Sequence, residues 1–210
     1  PRIEGLSYEE IARVARLCVE RFGFEAIRLT GGEPLVRAHV TRLVEMLAPL
    51  GVDLALTTNG VKLAEVAHDL AHAGLDRVNV SLDTLDPARF RQLTRRGNVR
   101  DVLEGLTAAE AAGLRVKLNA VPIRGVNDTD AAVALAKLTV EHDWQVRFIE
   151  VMPFANNAGF QTGHIVREAE LRARLETALG TLEPLHEGRI DGEARMFRLP
   201  GARGTIGFIS

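Results

Sequence analysis

The stretch Ala26-Ile-Arg-Leu-Thr-Gly-Gly-Glu-Pro-Leu-Val36 decides the fold. Its first half is β-prone, its double glycine turns the chain, and Pro34 presets the backbone dihedral for helix entry. Strand, tight turn and helix in that order open a βα unit. Upstream, Ser7 and Glu10 make a capping box for a helix that gathers Ile11, Val14, Ala15, Cys18 and Phe22 on one face. Downstream the cycle repeats. A helix from Val40 to about Leu50 leads to strand Asp53–Thr58, helix Leu63–Ala73 and strand Arg77–Leu82. Helices within Pro87–Thr94 and Val99–Ala112, strand Arg115–Val121, helix Asp130–His142 and strand Trp144–Glu150 follow. Gly23, Gly51, Gly74 and Gly113 stand just past helices, where C-cap glycines belong. Five strands separated by helices, with no hairpin among them, predict an α/β fold with a parallel, barrel-like sheet. Residues 1–152 read as this core. Residues 153–210 read as a small C-terminal α+β extension: a loop from Pro153 to Gly163, helix Arg167–Leu179, and an antiparallel hairpin turning at Asp191-Gly192.

Composition bounds the function. The 210 residues are 46% hydrophobic and 26% charged, as in a soluble globular domain. With 26 Lys+Arg against 28 Asp+Glu, no global positive field exists to hold nucleic acid or an anionic membrane. No apolar run approaches the ~18–20 residues of a membrane span. A single cysteine excludes a disulfide framework and any all-cysteine metal site within the chain. The chain opens on Pro1 rather than Met, as a segment of a longer protein would.

Strands of a helix-covered parallel sheet usually read as continuous apolar runs. Here Arg28, Asn79, Lys117 and Arg147 each interrupt one. By period two, Arg28 shares a face with Thr30, Thr57 with Asn59, Asn79 with Ser81 and Asp83, and Lys117 with Asn119. One face is greasy for helices, and the other is polar with three cations. Internal ion pairs to Asp83 or Glu150 would satisfy two of the three; an anionic ligand would balance the surplus.

Further motifs stand in register with the first. They are Thr57-Thr-Asn-Gly60, Val78-Asn-Val-Ser-Leu-Asp-Thr-Leu85, Val116-Lys-Leu-Asn119, Gly125-Val-Asn-Asp128 and Val146-Arg-Phe-Ile-Glu-Val-Met152. Together with Ile27-Arg-Leu-Thr-Gly-Gly-Glu-Pro-Leu-Val-Arg37 they closely resemble the GTP 3′,8-cyclases, radical S-adenosylmethionine (SAM) enzymes that open molybdenum-cofactor biosynthesis. The resemblance runs from Leu6 to Ser210 and thins after Pro153. It implies a partial TIM barrel of six βα units, five of them present here. It implies a lyase in which an iron–sulfur cluster cleaves SAM to a 5′-deoxyadenosyl radical that abstracts hydrogen from C3′ of GTP, giving 3′,8-cyclo-7,8-dihydro-GTP. Carried over by motif, Gly32 and Glu33 would cradle the SAM methionyl amino group, with Ser81 and Met152 as further SAM contacts. Arg28, Thr57, Lys117 and Arg147 would meet GTP. The complete protein would hold two [4Fe-4S] clusters, whose cysteines are absent from this chain, so no metal ligand is assigned within it. This implies that the fragment alone is inactive, and that the complete enzyme is cytoplasmic and a candidate homodimer.

Other readings compete. They are a different radical SAM enzyme, a non-catalytic nucleotide-binding remnant, and a Schiff-base barrel lyase using Lys117 as nucleophile. Cys18 reads as a buried structural thiol, and His68 and His72 as surface residues despite their i, i+4 spacing. Thr94-Arg-Arg-Gly97 and the mixed charges of 167–174 read as solvated.

Overall fold

Element boundaries follow the punctuation of the sequence. Ser7 Oγ accepts from Glu10 N at 3.2 Å, and Ser7 N donates to Glu10 Oε2 at 2.7 Å. This closed capping box starts α1 (Tyr8–Phe22), which Gly23 ends at φ +67°. The computed structural model describes residues 5–152, 162–185 and 194–210. After α1 come β1 (Ala26–Leu29), α2 (Val40–Leu47), β2 (Asp53–Thr58), α3 (Leu63–His72), β3 (Arg77–Ser81), α4 (Pro87–Thr94), α5 (Val99–Ala111) and β4 (Arg115–Ala120). Then follow α6 (Asp130–Glu141), β5 (Gln145–Ile149), α7 (Glu168–Leu179), β6 (Glu183–Pro184), β7 (Arg195–Arg198) and β8 (Thr205–Ile209). Pro34 starts only a single 3-10 turn, Pro34–Val36, so α2 begins later, at Val40. Its end is also early: Pro49 has no N–H to give, and Ala48–Leu50 tightens to a 3-10 turn. Among the described residues no helix is long and apolar enough to cross a membrane.

The chain forms two compact units. The first comprises Pro1–Val80 and Arg100–Val116. In it β1 pairs with β2 and β2 with β3, all parallel. Val44, Leu56, Leu63, Leu70 and Val78 are sealed from solvent. At the N-terminal strand ends Asp53 takes an ion pair from buried Arg77 and another from Arg115 at 2.9 Å. The apolar face expected of α1 is not buried. Ala12 is its only buried residue, while Val14 and Phe22 are 54% and 69% exposed and Cys18 is half-buried. The adjoining strand β1 pairs with β2 alone among the described strands, so the sheet offers α1 little surface to cover.

The second unit comprises Ser81–Val99 and Lys117–Ser210. Here β4 pairs with β5 in parallel, and β5 with β8, also in parallel. Only then does the sheet turn antiparallel, through β7 to β6. The tail is thus more than a hairpin extension: its last strand is a further parallel neighbour of β5. The Asp191-Gly192 turn and the loop containing Asn156-Asn157 lie outside the described residues. Helix α6 packs on β5, β8 and α7. Phe208 lies with Phe148 and Phe197 at ring separations of 5.9 and 5.6 Å. Strands β3 and β4 run through both units, neighbours at their starts in the first (Arg115 N to Asp76 O, 3.2 Å) and at their ends in the second (Leu82 N to Asn119 O, 2.9 Å). Within each unit the sequential strands keep the predicted order, β1, β2 and β3 in the first and β4 and β5 in the second.

The charges of α7 are engaged rather than solvated. Arg174 pairs with Asp128 and Glu170, Glu170 with Arg124 at 2.6 Å, and Arg172 stacks over the Phe197 ring. Alternating signs pay off here because the loop after β4 presents the opposite charges.

Candidate functional site

In the first unit the Thr30-Gly-Gly-Glu-Pro34 turn follows the C-terminal end of β1. Glu33 fastens it to the neighbouring turn after β2. Its carboxylate accepts from Leu35 N at 3.0 Å, Thr58 Oγ1 at 2.7 Å and Asn59 N at 2.7 Å. A carboxylate offers about four lone-pair positions, so one remains for a ligand. Glu33 is therefore first a clamp between two loops. Gly31, at φ +145°, sits in a backbone region other residues rarely adopt. A Cβ built at either Gly31 or Gly32 meets nothing within 4 Å, but the φ of Gly32 is not positive. Neither packing nor backbone strain requires glycine at 32, which leaves a bare, exposed backbone beside Glu33.

The turn after β2 is set by Gly60. Gly60 N donates to Thr58 Oγ1 at 3.0 Å, and a Cβ at Gly60 would stand 2.9 Å from both Val80 and Val102. Opposite it, Gly105 lets α5 close in, for a Cβ there would lie 2.8 Å from Gly60 O. Thr57, half-buried, accepts from Asn79 Nδ2 at 3.4 Å. Arg28 lies on β1 two residues before Thr30 and is exposed.

In the second unit Lys117 and Arg147 are 7% and 8% exposed. The β4–β5 register pairs Lys117 with Gln145 and Asn119 with Arg147, so both cations share one face, two residues out of step. Arg147 Nε donates to Asn119 Oδ1 at 2.9 Å. Of the two nearby carboxylates, Glu150 accepts from Arg167 and Glu168 N, and Asp83 from Val121 N at 2.8 Å. Burial pushes the Asp83 carboxyl above the usual carboxylate range, against the pull of the Val121 N–H. Ser81 ends β3 exposed, and Met152, 66% exposed, lies past the end of β5, where strand parity no longer governs it.

The loop after β4 is built from the Gly125-Val-Asn-Asp128 motif. Buried Asn127 donates to Asp83 O and Val121 O at 3.0 and 3.1 Å and accepts from Ile123 N at 2.7 Å. Asp128 accepts from Gly125 N at 2.8 Å and from Arg174. Sequence reading singled out this motif without a role; a buried Asn-Asp pair after a strand is the signal that could have given one. Gly207 stands in none of the sequence motifs. His68 and His72 are exposed.

The chain supplies one cysteine, Cys18 on α1, and a cubane cluster with three protein thiolates cannot be built from it. Among the described residues no cluster of three His, Cys, Asp or Glu side chains could hold a metal ion. The residues present do not by themselves build an iron–sulfur cluster site.

Comparison with known proteins gives the family. A GTP 3′,8-cyclase of Thermodesulfovibrio yellowstonii is 44% identical over the whole chain, and one of Moorella thermoacetica is 47% identical over 98% of it. The chain spans 65% and 63% of their lengths, somewhat under two thirds. Among solved structures, Streptococcus suis SuiB superposes with TM-score 0.68 at 18% identity, over 84% of this chain and 40% of that one. A radical SAM methyltransferase from Sphaerobacter thermophilus gives 0.66 at 21% identity, over 97% and 58%. These likenesses show the fold, α/β of the partial TIM-barrel type. The radical SAM superfamily model matches residues 1–138, and the chain belongs to that superfamily.

Proposed function

We propose that this chain is the nucleotide- and SAM-binding frame of a GTP 3′,8-cyclase, the lyase of the first step of molybdenum-cofactor biosynthesis. The observation that carries the reading is the buried pair Lys117 and Arg147, two cations on one face of adjoining strands in a chain whose relatives bear that name. Two cations on one polar face favour a multiply charged anion there, in addition to the interactions each makes within the chain. A triphosphate supplies that anion, and Arg147, steadied at Nε by Asn119, suits bidentate recognition of phosphate oxygens. Arg28 and Thr57 join them as GTP contacts in this reading. Gly32, Glu33, Ser81 and Met152 hold SAM, which when bound and reduced supplies a carbon-centred radical. Glu33 and Gly32 orient the amino group, Glu33 through its remaining lone pair. The two [4Fe-4S] clusters of the reading draw their cysteines from outside these 210 residues, so radical initiation is not assigned to this chain. The reading keeps 1–152 as the barrel core and 153–210 as its extension, in a cytoplasmic enzyme that forms a homodimer when complete.

Isothermal titration of the chain with GTP, ATP and SAM tests it. GTP binds in a salt-sensitive manner, and Lys117→Ala loses about 1–3 kcal/mol of that affinity, the scale of a charge-assisted hydrogen bond. Phosphate contacts carry no base information, so ATP binds nearly as well. Equal GTP affinity in wild type and Lys117→Ala removes Lys117 from the site.

A further inference from the structure

Gly207 lies inside β8, in register with Arg147 on β5. Its φ is not positive, so the backbone does not ask for glycine, and glycine within a strand ordinarily weakens it. Such a position marks a close approach. A Cβ built at Gly207 would stand 2.9 Å from Met196 Sδ, 3.2 Å from Arg147 Cγ and 3.4 Å from Ala194 Cβ. The approach is by side chains, unlike that at Gly204, where backbone carbonyls of Trp144 and His142 crowd the same point.

The register makes a row across four strands. Asn119 on β4 pairs with Arg147 on β5, Arg147 with Gly207 on β8, and Gly207 with Met196 on β7. In-register neighbours project to one face, so the row reads acceptor, cation, gap, thioether. Asn119 Oδ1 holds Arg147 at Nε from one side. On the other side the gap at 207 receives the aliphatic stem, and Met196, which also accepts from Gln145 Nε2 at 3.1 Å, closes the far wall. A methyl group at 207 would press on the stem at Cγ, 3.2 Å away, and make it give by a few tenths of an ångström.

We propose that Gly207 is a positioning residue for Arg147: its missing side chain keeps the Arg147 stem in the place where Asn119 captures Nε, and so sets where the guanidinium meets an anion. The anion part rests on the function proposed above; the positioning part does not.

The test uses the 210-residue chain labelled with 15N in its arginines, the Arg147 Nε–Hε cross-peak being assigned by its loss in Arg147→Lys. Gly207→Ala shifts or broadens that cross-peak, Asn119→Ala does the same, and Met196→Ala leaves it in place. The Gly207→Ala/Met196→Ala pair removes the tightest contact yet keeps the pressure on the stem, and still shows the displaced signal. An unchanged cross-peak in Gly207→Ala overturns the proposal. If that single variant loses its fold, a native cross-peak in the Gly207→Ala/Met196→Ala pair overturns it instead. Titration with GTP and with tripolyphosphate then reads the consequence: Gly207→Ala weakens both five- to twentyfold, and adds nothing in an Arg147→Ala background. Should Arg147→Ala bind GTP as wild type does, the substrate reading of Arg147 falls, while the cross-peak still decides the role of Gly207.

Discussion

Two arginines, set in the same local pattern, meet different fates. Ile27-Arg28-Leu29 and Val146-Arg147-Phe148 each place one cation between two apolar residues in mid-strand. Arg28 is exposed and its flanking residues are half-buried; Arg147 is 8% exposed and its flanking residues are sealed. The difference lies in the neighbours. Strand β1 has one partner among the described strands, and β5 has β4 and β8 on either side. Alternation assigns a side chain to a face, but strands distant in sequence decide whether that face is a wall or a border.

The comparison breaks most sharply at glycines. Gly204→Ala would thrust a methyl group to 2.2 Å from Trp144 O, against rigid backbone, and should cost about 4 kcal/mol or more and unseat β8. Gly32→Ala, with open space at its Cβ, should change stability by no more than about 0.5 kcal/mol while weakening SAM binding. Urea denaturation and SAM titration of the two variants separate a glycine the fold needs from one it does not. A cost at Gly32 matching that at Gly204 would undo the distinction.

The next largest contrast is between phenylalanines. Phe208, 1% exposed between Phe148 and Phe197, should cost about 3–5 kcal/mol on truncation to alanine. Phe22→Ala on α1 should stay within about 0.5 kcal/mol by the same denaturation assay.

The arginines themselves follow. Arg147→Ala leaves Asn119 Oδ1 without this donor inside the sheet and should cost about 1–3 kcal/mol, whereas Arg28→Ala should cost no more than about 0.5 kcal/mol. Comparable losses would mean that β1 is covered in solution.

The smallest expected effect is a pH dependence of opposite sign at two aspartates of the second unit. Burial works to raise the Asp128 carboxyl, but the Arg174 guanidinium and the Gly125 N–H outweigh it and hold it below the usual range. Its stabilisation is present above the unfolded carboxylate value of about 3.9 and is lost as pH falls through the lower folded value. Asp83 is raised, chiefly by burial. Its contribution is full below that unfolded value and is lost as pH climbs through the raised folded one. Urea midpoints from pH 3 to 8 should show Asp83→Asn gaining on wild type as pH rises and Asp128→Asn losing ground over the same rise. A parallel course for the two variants would refute the assignment.

Much of this was readable in the sequence because it is local. Ser7 with Glu10, and the glycines after α1 and α3, state helix ends within one turn of chain. Strands β2 to β5 carry enough apolar alternation to be placed within a residue or so of their ends. The polar face was legible as parity: Lys117 and Arg147 do share a face. What was not legible depends on distant pairing. The stripe of α1 looks like core in sequence and is open in the structure, because its burial needs a surface that sequence periodicity cannot supply. Arg77 gives no hint of Asp53 some two dozen residues earlier, nor α7 of the loop after β4. Gly207 carries no pattern at all; its meaning exists only beside Arg147.

The parallel seating of β8 beside β5 also has a kinetic consequence. Gln145 and Thr205 are register partners about 60 residues apart, and contacts of such long span form late because loop-closure entropy is lost before they stabilise anything. During synthesis Arg147 emerges well before Gly207. Until the chain has passed Ile209, β5 lacks its β8 neighbour, and the arginine that ends up walled in spends the growing chain's lifetime much as Arg28 spends the folded one.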